Sequence, residues 1–291
     1  MTGNERSTRE LLKAHGITLS KSMGQNFLVD ASIPAKIVRE SGIDKSCGVL
    51  EVGPGMGALT SELCKAASYV TAVELDKRLV PILCRIFSEQ ENVSIVQGDI
   101  LRLNIREVIN DTMNGSRTPE PSTCSYHVCA NLPYNITTPA ITAFIDSGIF
   151  SSITVMVQKE VAQRICAKPG TPEYGAFSVY ANYHTKPEIR FDVPPECFVP
   201  RPKVTSSVVK MKTRAQRLLD SKDEKAFFRV VRAAFGQRRK TLVNALYAVF
   251  EKTHSKEEIT KIVEKFGFDV RVRGEVLGIE DFAKLSTFFK E

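Results

Sequence analysis

The 291-residue sequence predicts an α/β protein whose mostly parallel sheet is followed by a smaller all-helical part. Three observations carry this. Short apolar runs alternate with longer helical patterns between about Val49 and Val157, a glycine-rich turn follows the first of those runs, and from Ser221 onward the pattern is helical only. Strands are expected at 49–52, 69–74, 93–97, 126–130 and 153–157, each bounded by polar or turn residues. Helices fill the gaps at about 58–67, 77–87, 138–147 and 159–167. The insert from Asp111 to Ser125, rich in Asn, Gly, Pro, Ser and Thr, reads as a surface loop. Two further strand-like pieces, 177–184 and 204–212, are joined by a proline-rich connection from Pro187 to Pro202 and are expected to pair antiparallel at the sheet edge.

In the helical part, Ser221 with Glu224 and Ser255 with Glu258 have capping-box spacing, so each pair can satisfy backbone N–H groups at a helix start. Phe227, Phe228, Val231 and Phe235 recur at helical period and form an apolar face. The boundary is expected between Arg214 and Ser221, giving domains 1–213 and 214–291.

Composition excludes several classes. Apolar residues at 43% and charged residues at 25% are globular values, which removes collagen-like, disordered and disulfide-scaffold proteins. The apolar stretch from Thr241 to Phe250 is far short of the roughly 20 residues that span a bilayer, so no membrane partner is expected. The first twelve residues lack the apolar centre of a secretory signal, and the expected location is the cytoplasm. Seven cysteines, odd in number and without a C-x-x-C pair, indicate reduced thiols, and no metal site is expected. The net charge of +7 gathers toward the C-terminus: from Thr213 to Glu291 stand 17 basic against 12 acidic residues. Within that tail Arg229, Arg232, Arg238, Arg239 and Lys240 lie in a stretch without an acid. A solvated helix face and a phosphate-binding patch both account for such a run.

The turn Glu51-Val52-Gly53-Pro54-Gly55-Met56-Gly57 needs its glycines because the backbone must bend tightly and let a ligand lie against it. The next strand ends in Glu74, 21 residues after Gly53, where a carboxylate can accept from both hydroxyls of a ribose. Gly53, Gly55 and Ala58 also satisfy G-x-G-x-x-A, so a nicotinamide dinucleotide and S-adenosylmethionine both fit the spacing. Glu51 before the glycines and Gly98-Asp99 after the third strand tip the balance. A dinucleotide brings a pyrophosphate that wants a positive helix end, whereas S-adenosylmethionine brings a sulfonium cation that suits acids. Taken alone, Asp99 reads as a turn cap.

The fourth strand ends in Asn131-Leu132-Pro133-Tyr134. With E-x-G-x-G-x-G, the acid on strand two and G-D on strand three, this resembles a class I, Rossmann-like methyltransferase acting on the exocyclic amine of adenine. That amine is a weak nucleophile because its lone pair is delocalised into the ring. Asn131 Oδ1 and the Leu132 carbonyl can accept its two hydrogens and steer the lone pair, Pro133 stiffens the loop, and Tyr134 offers a ring for stacking. No dedicated base is needed, since the nitrogen becomes acidic once methylated.

The resemblance sharpens with three further segments: Lys21-Ser22-Met23-Gly24-Gln25-Asn26-Phe27-Leu28, Phe198-Val199-Pro200-Arg201-Pro202-Lys203-Val204 followed by Ser206, and Phe235-Gly236-Gln237-Arg238-Arg239-Lys240-Thr241-Leu242. In this order they resemble the KsgA family of ribosomal RNA adenine dimethyltransferases, with Met23 where the family has Leu. The resemblance implies that Asn26, Leu28, Gly53, Gly55, Glu74, Leu75, Asp99, Ile100 and Asn131 hold S-adenosylmethionine. It implies that Asn131, Leu132, Pro133 and Tyr134 grip the target adenine while Phe198 covers its other face. It further implies two methyl transfers to each of two adjacent adenosines near the 3′ end of 16S rRNA, with the small ribosomal subunit as partner, a monomeric enzyme, and RNA phosphate contacts from the basic run. The Erm-type large-subunit enzyme, a non-catalytic ribosome-assembly factor and a nicotinamide dehydrogenase are the rival readings. The last lacks a His or Lys poised for hydride-transfer chemistry.

Overall fold

The structure, a computed structural model, describes residues 26–114, 125–216, 218–237 and 239–289. They fall into two compact units, one made of the residues up to Ala162 with Glu188–Thr213, the other of Gln163–Pro187 with the residues from Arg214 onward. The segment 163–187, expected in the first part, therefore groups with the helices.

In the first unit β1 (Phe27–Leu28) and α1 (Ser32–Ser41) precede β2 (Cys47–Val52), α2 (Ala58–Ala66), β3 (Tyr69–Glu74), α3 (Val80–Ile86), β4 (Val93–Gln97), α4 (Ile105–Asn114), β5 (Ser125–Asn131), α5 (Thr137–Ser147) and β6 (Phe150–Gln158). The chain continues through α6 (Lys159–Cys166) and α7 (Ala176–His184), returns to the sheet with β7 (Thr185–Val193), and adds β8 (Phe198–Val199) and β9 (Ser206–Thr213). The helices α8 (Ser221–Gly236), α9 (Leu242–Phe250), α10 (Lys256–Lys265) and α11 (Ile279–Ser286) follow.

The sheet runs in the order β4-β3-β2-β5-β6-β9-β7. Its first five strands pair parallel, and β9 runs antiparallel to β6. Every residue of β2 and β3 is buried, which is why these strands read as nearly continuous apolar runs instead of alternating ones. The chain lays down β2, β3 and β4 in one direction and then crosses back to the other side of β2 for β5. That reversal opens a crevice at the carboxyl ends of β2 and β5, where α/β sheets take their ligands.

Four expectations need correction. Residues 177–184, read as a strand, form α7, because Val179 and Tyr183, four apart, are buried in the core of the helical unit with Phe227. The Ser178 hydroxyl starts this helix by accepting from the Gly175 N–H at 3.1 Å. The strand that reaches the edge is instead β7, within the supposed proline-rich connection; Pro187 is tolerated there because an edge strand has N–H groups with no ladder partner to lose. The insert begins later than expected, since Asp111–Asn114 completes α4 and 115–124 lies outside the described residues. The cap of α8 is Asp220, without a side-chain bond, and not Ser221. At α10 the box forms as expected, with Glu258 N–H donating to Ser255 Oγ at 3.2 Å and Ser255 N–H to Glu258 Oε2 at 2.7 Å.

The helical unit has its own core, in which Phe227, Val230, Leu246, Ile259, Val263 and Phe282 are fully buried. Each such side chain contributes about 1.5–3 kcal/mol relative to exposure. The Tyr174 hydroxyl closes one side of that core by donating to the Leu277 carbonyl at 3.0 Å. Among the described residues no helix is long and apolar enough to cross a membrane.

Candidate active site

A cavity of about 230 Å³ opens at the carboxyl ends of β2, β3 and β5. Its floor is the glycine turn, where Gly53, Gly55 and Gly57 all adopt left-handed backbone conformations. At Gly57 (φ +80°) a Cβ would stand 2.7 Å from the Phe87 ring, so only glycine lets α2 start this close to α3. Gly53 (φ +69°) brings its backbone against the Pro133 ring, which a Cβ would meet at 3.6 Å. The turn after β2 and the loop after β5 are thereby packed edge to edge.

The residues expected to hold a donor, Asn26, Leu28, Gly53, Gly55, Glu74, Leu75, Asp99, Ile100 and Asn131, all line this one cavity, as do Leu132, Pro133 and Tyr134. Sequence reasoning misses Leu101 and Met56 on the wall. Leu75 and Leu101, 55% and 41% exposed, stand at the ends of β3 and the turn after β4 as apolar surface beside acids. The available signal was continuation of the apolar pair after Asp99, Ile100-Leu101, and the one side chain, Met56, between Gly55 and Gly57.

The wall carries Glu51, Glu74 and Asp99 and, among the described residues, no Lys, Arg or His. Glu74 is held by backbone donors, Gly55 N–H to Oε2 at 3.3 Å and Asp76 N–H to Oε1 at 2.8 Å. Burial raises its pKa against the pull of those bonds. Asp99 accepts from Leu101 N–H at 3.0 Å and lies 3.4 Å from Arg102, so it caps its turn and lines the cavity together. Glu51 is 1% exposed, and its Oε2 has no hydrogen-bond partner among the described residues. Burial, reinforced by the Glu74 charge, pushes its carboxyl up to about 8. An acidic wall with an unpartnered buried carboxyl fits a cationic ligand and offers nothing to a pyrophosphate beyond backbone amides.

Asn131 ends β5 in register with Met156 of β6, and its side-chain nitrogen donates to the Asn26 carbonyl at 3.2 Å. That bond turns the amide so that Oδ1 is the acceptor left for a ligand. Leu132 is buried and its N–H donates to the Met156 carbonyl, which fixes the backbone just before Pro133. Tyr134 is half-buried and its hydroxyl is 2.7 Å from Ser206 Oγ at the start of β9; burial raises its pKa. A loop tied at Asn131, Leu132 and Tyr134 presents an acceptor and an aromatic face with little freedom to move.

Phe198 is not brought to this wall. It is 1% exposed and packs in the core with Ile37, Val49 and Val208, because β8 pairs with β1 and turns the ring inward. The face-covering role expected of it has no support in this geometry. In the basic run, Arg232, Arg239 and Lys240 are exposed, whereas the Arg229 guanidinium is half-buried over the Phe250 ring at 4.7 Å and braces α8 against α9. Arg238 lies outside the described residues.

The profile of the ribosomal RNA adenine dimethylase family matches residues 16–284. A Ribosomal RNA small subunit methyltransferase A from Shouchella clausii is 43% identical over 280 residues, covering 96% of this chain and 92% of its own length. The Streptococcus sanguinis protein of the same name is 44% identical over 285 residues, covering 97% and 96%. Among solved structures, a dimethyladenosine transferase from Plasmodium falciparum superimposes with a TM-score of 0.73 at 24% identity over 90% of this chain and 97% of its own. The 23S rRNA methyltransferase ErmE does so with 0.69 at 23% identity, over 90% and 98%, so the fold is that of these enzymes. The chain belongs to the ribosomal RNA adenine dimethylase family, whose members take methyl groups from S-adenosylmethionine.

Proposed function

We propose that this enzyme converts two adjacent adenosines near the 3′ end of 16S rRNA to their N6,N6-dimethyl forms in the small ribosomal subunit. The observation that carries the reading is the meeting, in one acidic cavity, of a donor wall and the Asn131–Tyr134 loop. The names of the relatives from Shouchella clausii and Streptococcus sanguinis point to the small subunit as substrate. S-adenosylmethionine supplies an electrophilic methyl on a sulfonium. Glu74 accepts from the ribose hydroxyls, Leu75 and Ile100 flank the adenine of the donor, and Asp99 accepts from its amino group. Asn131 Oδ1 and the Leu132 carbonyl hold the hydrogens of the target amine, and Tyr134 stacks on the base, at about 1–3 kcal/mol for the stack. Rate enhancement then comes from alignment in a site shielded from water.

Residues 214–291, with 163–187, form the part that positions structured RNA through Arg232, Arg239 and Lys240, phosphate contacts that set register but not sequence. The enzyme acts as a monomer in the cytoplasm, and its Cys47, Cys64, Cys129 and Cys197 are buried in the fold.

The test is transfer of labelled methyl from donor to immature small subunits, followed by mass mapping of modified adenosines. Transfer to 16S rRNA that is lost in Asn131→Ala supports the reading. Transfer to large-subunit rRNA instead establishes the Erm-type alternative, and donor binding without any transfer establishes an assembly factor.

A further inference from the structure

The buried carboxyl of Glu51 has no task in the scheme above, yet it is on the cavity wall. It stands one residue before the end of β2, two before Gly53, and faces side chains of α2. The groups that face it are Thr60 and Cys64 from α2, Cys129 from β5 and Glu74 from β3. None of these is a cation. Lys45, which acts on Cys64, is committed to the far end of α2, where its ammonium donates to the Cys64 and Ala67 carbonyls at 3.2 and 2.9 Å. Glu51 Oε2 and Thr60 Oγ1 are both buried and neither makes a well-formed hydrogen bond among the described residues; the Thr60 hydroxyl beside the carboxyl pulls its pKa down, and burial outweighs that pull. A carboxylate in such surroundings, next to a second carboxylate, is strongly disfavoured, so the donor-free enzyme keeps this group neutral.

A ligand carrying a sulfonium and an α-ammonium changes that balance. Its positive charge supplies the counter-ion that the protein withholds, and the ionised form becomes the favoured one. We propose that Glu51 loses a proton to solvent when S-adenosylmethionine binds, so that donor capture is linked to pH through this residue. The neutral acid and the cationic donor become a carboxylate–cation pair plus one free proton, and charge balances. The proposal rests on the donor site described above and adds a residue and a proton to it. By linkage, affinity rises with pH below the titration of the free enzyme, by up to tenfold per unit.

Calorimetry of S-adenosylmethionine binding to the full chain tests this, at pH 6.5, below the titration of the donor's own amine, in two buffers of different ionisation enthalpy. The expected result is release of close to one proton per donor bound, abolished in Glu51→Gln, whose affinity also stops changing between pH 5.5 and 7. No buffer dependence in the native enzyme overturns the proposal. So does a release that survives in Glu51→Gln, which would assign the proton to Glu74. Should that variant fail to fold, infrared difference spectra of the native enzyme decide instead. Loss of a protonated-carboxyl C=O band on binding supports the proposal, and an unchanged band overturns it. A complete lack of donor binding would refute the site itself, a separate outcome from binding without a proton.

Discussion

The amide of Asn131 is engaged on its nitrogen side by the Asn26 carbonyl, so its oxygen has a set direction. In the proposed scheme Asn131→Ala removes one of the two acceptors for the target amine. A loss of about 100- to 1000-fold in kcat is expected, the range found when one preorganised polar contact to a reacting group is deleted. Single-turnover transfer with saturating donor reads this directly, and donor affinity should fall far less. Glu51 gives a second prediction at this scale. Its folded pKa, about 8, lies above its ordinary 4.5, so the native state binds more protons than the unfolded chain between those values. Through Glu51 the stability of the donor-free enzyme falls as pH rises from about 4.5 to 8, with a limiting slope of about 1.4 kcal/mol per pH unit, while His127, whose pKa burial lowers from its ordinary 6.5, acts in the opposite direction below 6.5. The upward-shifted Glu74 acts in the same direction as Glu51. Asp30 and Asp192, held low first by hydrogen bonds from Ser32 and Lys159, lose their contribution only in more acidic solution, outside this window. Urea midpoints at pH 5.5 and 7.5 measure the effect, and Glu51→Gln should flatten it.

At the scale of elements, the glycine turn makes a tight joint with Phe87 at the end of α3 through Gly57. Gly57→Ala forces a side chain into left-handed backbone and against Phe87, and a cost of about 1–3 kcal/mol with weakened donor binding is expected. Thermal unfolding with and without donor separates the two effects. A different joint is slight: among the described residues β1 and β8 share the pairs Phe27↔Val199 and Leu28↔Phe198, and one further bond runs from Val29 N–H to the Cys197 carbonyl. So short a ribbon opens locally at little cost, so amides at 27–29 should exchange early in the free enzyme and slow down when donor fills the wall beside them. Elements differ in how far the sequence discloses them. The central strands β2 and β3 were legible because burial on both faces writes an apolar run, and the strand-end acids because Glu51, Glu74 and Asp99 recur at or just beside the carboxyl ends of successive strands, although Asp99 alone would pass for a turn cap. The segment 177–184 was not, since its apolar residues at 177, 179, 181 and 183 satisfy a period of two while Val179 and Tyr183 also satisfy a helical spacing of four. Packing against Phe227 decides between them, and that contact is more than forty residues away in the chain. The inward turn of Phe198 was hidden for a similar reason, as it depends on pairing with β1 across 170 residues.

For the molecule as a whole, the charge of +7 with its C-terminal excess predicts RNA affinity that falls steeply with salt. Changing Arg232, Arg239 and Lys240 together to Gln should weaken binding across all RNA sequences and reduce the salt slope by roughly two. Binding isotherms at several salt concentrations give that slope. Donor affinity measured alongside should not change. The two-unit organisation was only partly legible, because α7 belongs by packing to the helices although it precedes β7 and β9 in the chain. The parallel register carries a last consequence. Val52 stands opposite Val73, Glu74 opposite Gln97 and Asn131 opposite Met156, so the ends of neighbouring strands arrive together at the same level. Because side chains alternate between faces, one extra residue inside β2 would swing Glu51 to the other side of the sheet, while two would restore its side but lift it by a full pleat. The chemistry of this enzyme is therefore counted out in strand lengths, and a neutral alanine inserted into β2 should be as damaging as the loss of an acid.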